Sequence, residues 1–246
     1  VRLTAPRRRR EKELPLDPRL KEFDSDFDAL RSVVTTMGGL VERQFVRAVD
    51  AVRLGDMGIV AQVLTDENRV NQLHMESDLR CHQTIARQQP IAVDLREIIA
   101  IIHTNNDLER IGDEAKKIAM KARELQNGAA PIPLDRIEQM ANLVSDMVRA
   151  AIDAFVRHDI AVAGLLAERD AEVDRLRDVL IADLMAVMAE RPTSVSAALA
   201  LIFVVQSIER VGDHARNIAE YVVNVVEGVD LRHASPEEVA RIAARR

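Results

Sequence analysis

Twelve residues, LERIGDEAKKIA at 108–119, return as IERVGDHARNIA at 208–219, and this recurrence constrains the fold more than any other feature. It is not isolated. Asp50–Asp56 (DAVRLGD) matches Asp153–Asp159 (DAFVRHD) at an offset of 103, as do Glu67–Asn71 and Asp170–Asp174, while Arg87–Pro90 matches Ala189–Pro192 at 102. Offsets that drift by three residues mean that one unit of about a hundred residues is duplicated, with small changes at loops and helix ends.

Within each unit the apolar residues recur at three and four. Leu30, Val33, Val34, Met37, Leu40, Val41, Phe45, Val49 and Val52 form one such stripe, the signature of an amphipathic helix. Leu54-Gly55-Asp56 breaks it, and Asp56 is placed to cap the next helix. That helix stops before Pro90, and a third runs from near Asp94 to Asn127-Gly128, with Pro131 and Pro133 beyond. The same plan repeats as helices over about 134–158, 160–190 and 193–227, with Asp159 as a cap and Gly228 as the last stop. Aromatics are only 2% of residues and Trp is absent, which argues against a β-rich fold. The expected architecture is all-α: two tandem three-helix bundles, residues 21–128 and 134–230. A basic arm (1–20, with Arg7 to Arg10) precedes them, and a tail (231–246) follows, its short helix capped at Ser235-Pro236.

Net charge is −6, and neither a zinc-finger spacing nor an aromatic-basic RNA motif occurs, so no nucleic-acid partner is expected. No apolar run reads as a membrane span and no signal peptide is recognisable; with a single cysteine, Cys81, a cytoplasmic setting is expected. Cys81 on its helix reads as a small core hydrophobe rather than a reactive thiol.

The duplicated motif poses a chemical question. Glu109 and Asp113, and again Glu209 and Asp213, lie four apart and so share a helix face, where like charges cost a few tenths of a kcal/mol. Gly112 and Gly212 each cost about 1 kcal/mol against Ala. Local propensity does not choose this twice. A second pair stands on the preceding helix of each unit: Glu67/Asn71 and Asp170/Asp174, also four apart. Where the two faces meet, four oxygen side chains converge, with Asn217 able to join in the second unit. Such hard donors suit Fe, Mn, Mg or Ca, and also Zn. In the first unit Lys117 occupies the turn of Asn217, to replace part of a metal's charge or to pair with Asp113, so the second cluster is the better metal candidate. The alternative is structural, with Arg110 and Arg210 reaching neighbouring helices and each glycine permitting close packing.

Catalysis finds no support. No Glu-x-x-His pair, Gly-rich phosphate loop or Gly-x-Ser-x-Gly motif is present, and His214 points about 100° away from Asp213. No enzyme activity and no organic cofactor are expected.

These features together resemble the PhoU family, accessory and regulatory proteins of phosphate-specific transport. The likeness runs from about Phe27 to His233 and includes Thr36–Glu42, Val70-Asn71, Arg87–Pro90, Asp94-Leu-Arg96, both repeated motifs and Val229–His233. It implies a cytoplasmic homodimer that negatively regulates the phosphate-starvation response. Such a protein connects the ATPase of the phosphate ABC importer to a membrane-bound sensor histidine kinase, and meets the membrane only through those partners. It also implies multinuclear iron or zinc clusters at the carboxylate pairs of some members, here Glu67, Asn71, Glu109 and Asp113, and Asp170, Asp174, Glu209 and Asp213. Asn71 departs from an acid-only pattern. Arg110, Arg210, Asp94 and Arg96 are the candidate partner-binding residues.

Overall fold

A computed structural model describes residues 18–125, 134–231, 234 and 236–243. Residues 1–17 of the basic arm, the close of the third helix at Asn127-Gly128 and the Ser235 cap lie outside the described residues, while residues 18–20 of the arm open the first helix. Six long helices follow one another: α1 (Pro18–Leu54), α2 (Met57–Gln88), α3 (Ala92–Leu125), α4 (Leu134–Arg157), α5 (Ala161–Glu190) and α6 (Val195–Glu227). A single 3-10 turn, Pro192–Ser194, introduces α6, and a short α7 (Pro236–Ala243) closes the chain.

The breaks act as their residues dictate. Asp56 accepts the Gly58 amide at 2.7 Å and starts α2, while Gly55 turns the chain at a φ of 65°. Gln89, in the left-handed region, ends α2 just before Pro90. Asp159 accepts the Ala161 amide at 3.0 Å at the start of α5. Gly228, with φ of 71°, ends α6. The third helix begins two residues ahead of Asp94, because the Asp94 amide bonds back to the Ile91 carbonyl and draws Ala92 and Val93 into the first turn.

α1, α2 and α3 pack together, as do α4, α5 and α6; the bundles are joined where α3 lies against α6 and α1 against α4. One continuous set of buried side chains runs through both bundles, from Phe27 to Ile242, and is mostly Val, Ile, Leu and Ala. The α1 stripe enters it as its spacing requires, with Leu40 alone only partly buried among the residues predicted. At Gly38 a Cβ would meet Ile152 Cδ1 at 2.6 Å, so glycine sets the approach of α1 to α4. Cys81 is fully buried, and burial pushes its thiol up to about 11, as suits a core residue.

One sequence expectation needs correction. The stretch Pro192–Ile208 carries no charged residue, and the helix it opens is long and apolar enough to cross a membrane by length and composition. Here Leu201, Val204, Val205 and Ile208 are buried between α3, α4 and α5, so its hydropathy belongs to the central helix of the fold.

The α3–α6 pair is antiparallel and nearly symmetric. Asp107 on α3 meets His214 Nδ1 at 2.7 Å, and Glu114 on α3 meets Ser207 on α6. Since 107 and 207, and 114 and 214, are equivalent in the repeat, these are the same contact made twice about a local two-fold axis. α2, α3, α6 and α5 thus follow in one layer, with α1 and α4 beneath.

Candidate functional site: two carboxylate clusters

The first cluster forms where α2 faces α3. Glu67 is 3% exposed, and Gln44 Nε2, reaching up from α1, donates to its Oε2 at 3.0 Å. Asn71 Nδ2 lies 3.4 Å from Glu67 Oε1, and Asp113 shares a hydrogen bond with the same carboxyl. Burial and then the Asp113 contact push Glu67 up, against the opposing pull of Gln44 and Lys116. Lys116 Nζ is 3.8 Å from Glu67 Oε1. Gly112 is the floor of the site: a Cβ there would stand 3.1 Å from both Gln44 Oε1 and Glu67 Oε2. Gln44 is fully buried, and its Oε1 has no hydrogen-bond partner. Among the described residues neither Glu109 nor Asp113 makes an ion pair.

The second cluster is built differently from equivalent positions on α5 and α6. Arg216 donates to Asp170, and its Nε lies 3.4 Å from Glu220 Oε1. Arg177 donates to Asp174 at 2.8 Å and also to Glu209, tying α5 to α6. Burial raises Asp170 despite Arg216. Asp213 is without an ion pair among the described residues; burial and then Asp170 and Glu209 push it up to about 6. Gly212 is not a cradle, since the atoms nearest a Cβ there are the apolar ends of Val144, Met147 and Val173, at 3.6–3.8 Å. Asn217 is half-buried one turn beyond Asp213.

Glu67, Asn71 and Asp113 come together in the first cluster and Asp170, Asp174, Glu209 and Asp213 in the second, while no contact among the described residues brings Glu109 or Asn217 to them; the sequence missed the groups that hold these sets. Gln44 and Lys116 hold the first, Arg177 and Arg216 the second. Lys116 and Arg216 occupy the same place in the repeated motif, one residue before the Lys117/Asn217 difference, and that alignment was the available signal. Lys117 neither pairs with Asp113 nor sits at the cluster; it donates to Glu114 Oε1 at 2.8 Å, on the side turned toward α6. Gln44 had no signal, since the duplication puts Met147 in its place.

The residues singled out for partners divide. Arg110 is exposed on α3. Arg210 is exposed as well, 3.5 Å from Glu114, near the local axis. Arg96 donates from Nε and Nη2 to the Val225 carbonyl at 3.3 Å and packs beside Gly228, so it satisfies the carboxyl end of α6. Asp94 sits half-buried in the first turn of α3, where a negative charge suits the helix dipole. Among the described residues no three His, Cys, Asp or Glu side chains converge on one point as they stand.

Three helices repeated in tandem, with paired carboxylates recurring on equivalent helices, define an all-α repeat protein of two bundles. The PhoU domain family matches residues 34–122 and again 137–222. The chain belongs to the PhoU family. It is 41% identical over 214 residues to the phosphate-specific transport system accessory protein PhoU homolog of Pseudomonas aeruginosa, covering 87% of this chain and 88% of that one. It is 33% identical to PhoU of Escherichia coli, covering 91% and 92%. The fold superposes on the crystal structure of PhoU from Pseudomonas aeruginosa with a TM-score of 0.82 at 40% identity, covering 84% of this chain and all of that one. For the phosphate transport system regulatory protein PhoU of Streptococcus pneumoniae the TM-score is 0.78 at 25% identity, covering 85% and 98%.

Proposed function

We propose that this chain is a cytoplasmic accessory protein of phosphate-specific transport and a negative regulator of the phosphate-starvation response. It works without catalysis, as a homodimeric adaptor between the phosphate ABC importer ATPase and a sensor histidine kinase. The observation that carries the reading is identity of 41% to a phosphate-transport accessory protein, sustained over 87% of the chain and so over both copies of the repeat. The geometry supports it. The outer layer presents charged ridges, with Arg110 and Arg210 exposed between two carboxylate clusters, and such a surface sets partner choice through charge complementarity. The test is a pull-down with the importer ATPase and the sensor kinase, using wild type, Glu109→Ala/Asp113→Ala and Glu209→Ala/Asp213→Ala. Wild type is expected to capture both partners and at least one variant to lose one; failure of the folded wild type to capture either defeats the reading.

A second reading gives the first cluster a cation. Glu67 and Asp113 lie together, with Asn71 beside them and Glu109 one turn before Asp113 on the same helix face to supply further oxygens; the Gln44 Oε1 is orphaned, and Gly112 leaves the space that a side chain would fill. Fe, Zn, Mn or Mg would relieve the Glu67–Asp113 repulsion. Glu109 and Asp113, held by no ion pair, are free to turn toward it. Metal analysis of untagged protein tests this, and Glu67→Gln is expected to abolish binding.

A further inference from the structure

We infer that the second cluster takes no metal ion, because Arg177 and Arg216 already stand as its cations. This rests on reading the repeated carboxylate pairs as cation sites, and it departs from that reading for one copy. A bridging metal would need an oxygen from α5 and one from α6 at once. Arg177 already makes that bridge, from Asp174 to Glu209. Arg216 makes the second, from α6 to Asp170 on α5. An arginine does not lose its proton in a protein, so a divalent ion entering here meets two fixed positive charges and must displace both forks from their oxygens.

Net charge does not explain the difference: Glu67, Glu109 and Asp113 stand with Lys116, and Asp170, Asp174, Glu209, Asp213 and the neighbouring Glu220 stand with Arg177 and Arg216, so carboxylates outnumber cations at both clusters. What separates them is how the oxygens are held. In the first copy the one cation paired with the cluster among the described residues is Lys116, an ammonium on a flexible stem at 3.8 Å, able to swing into water. The repeat places His74 where Arg177 stands, and His74 turns instead to Asn106 at 2.9 Å. The second cluster is also walled on one side. A cavity of about 220 Å³ beside it is lined by Asp170, Asp174, Arg216 and Glu220 together with Leu231 and Val239 of the terminal segment. Nothing comparable covers the first cluster among the described residues.

The experiment is Mn2+ binding to the full chain, followed by titration calorimetry and by electron paramagnetic resonance of the bound ion. Asp213→Asn keeps the shape of a carboxylate that has no ion pair, so this variant folds, and it is expected to bind Mn2+ as wild type does. Arg177→Gln/Arg216→Gln is expected to gain a Mn2+ site tenfold or more tighter than anything wild type offers at this cluster, and adding Asp213→Asn removes the gain. Arg216→Gln alone serves where the double variant is unfolded by circular dichroism. Loss of a Mn2+ equivalent from wild type on Asp213→Asn overturns the inference, as does an arginine variant that folds and gains nothing. Glu67→Gln/Asp113→Asn reads the first cluster separately. Wild type that binds no Mn2+ at all removes the metal from the first cluster, while the arginine variants still decide the second.

Discussion

The two motif glycines look interchangeable in sequence, and their surroundings make them opposites. Alanine in a helix interior gains about 1 kcal/mol over glycine. At Gly212 the new methyl would enter ordinary contact with Val144, Met147 and Val173, so Gly212→Ala is expected to raise stability by about 0.5–1 kcal/mol. At Gly112 it would press on Gln44 Oε1 and Glu67 Oε2 at 3.1 Å, both buried and tethered. Gly112→Ala is therefore expected to lose that gain and to disturb the first cluster. Urea unfolding of the two variants checks this; equal effects would mean that the glycines serve helix packing alone. The sequence marked both positions as costly and could not say why, because the difference lies in Gln44 and its counterpart Met147, on a third helix. Lys117 fails for a different reason: its place one turn beyond Asp113 was legible, but Glu114, three residues before it on the same helix, takes its ammonium at 2.8 Å.

At the scale of helices, period and caps carried most of the information, since each break is made by local chemistry at Gly55-Asp56, Pro90, Asp159 or Gly228. What no periodicity shows is which polar residues lock helices together. Glu97 on α3 is the clearest case. It is 5% exposed and takes a bidentate pair from Arg31 of α1, at 2.6 and 2.9 Å, with His158 at 3.6 Å from the turn after α4. Burial alone would raise this carboxyl, but the nearby His158 ring and the hydrogen bonds from Arg31 outweigh it and hold it at about 2. Removing one partner of a buried pair costs about 3–5 kcal/mol, and Arg31 is partly solvated, so Glu97→Gln is expected to cost about 2–3 kcal/mol at pH 7. A depressed folded pKa gives stability that is complete above the ordinary carboxylate range and lost as pH falls through it toward 2. The melting temperature of wild type should therefore fall more steeply between pH 5 and pH 2 than that of Glu97→Gln. Parallel profiles would mean that the pair contributes nothing to the join of α1 and α3.

Across the whole molecule the duplication predicts two bundles, yet the core is continuous, and the seam between them holds charged and polar side chains among the apolar ones. Asp107, His214, Glu114 and Ser207 are all at the α3–α6 contact, and the terminal segment lies over the neighbouring α5–α6 face. The sequence could not place these residues, because a charge on the stripe that meets the second bundle looks like one that meets water. The cost of this polar seam has a sign. Burial lifts Glu220, which faces Arg216, Asp170, Asp230 and Asp107, to about 7, and lifts Asp213 to about 6. Both folded values lie above those of the unfolded chain, so the native state holds protons that the unfolded state has released. Neither group affects stability below about pH 4, where both states are protonated. From there the fold loses stability as pH rises, until Asp213 and then Glu220 are fully ionised near pH 8. Both groups are partly screened by solvent and by Arg216, so the loss is about 1–2 kcal/mol, or a few degrees in melting temperature. Glu220→Gln with Asp213→Asn removes the ionisation and should make the melting temperature level between pH 5 and pH 8, above wild type at the alkaline end. A wild-type profile already level over that interval would show that the seam and the second cluster hold their carboxylates charged at no cost.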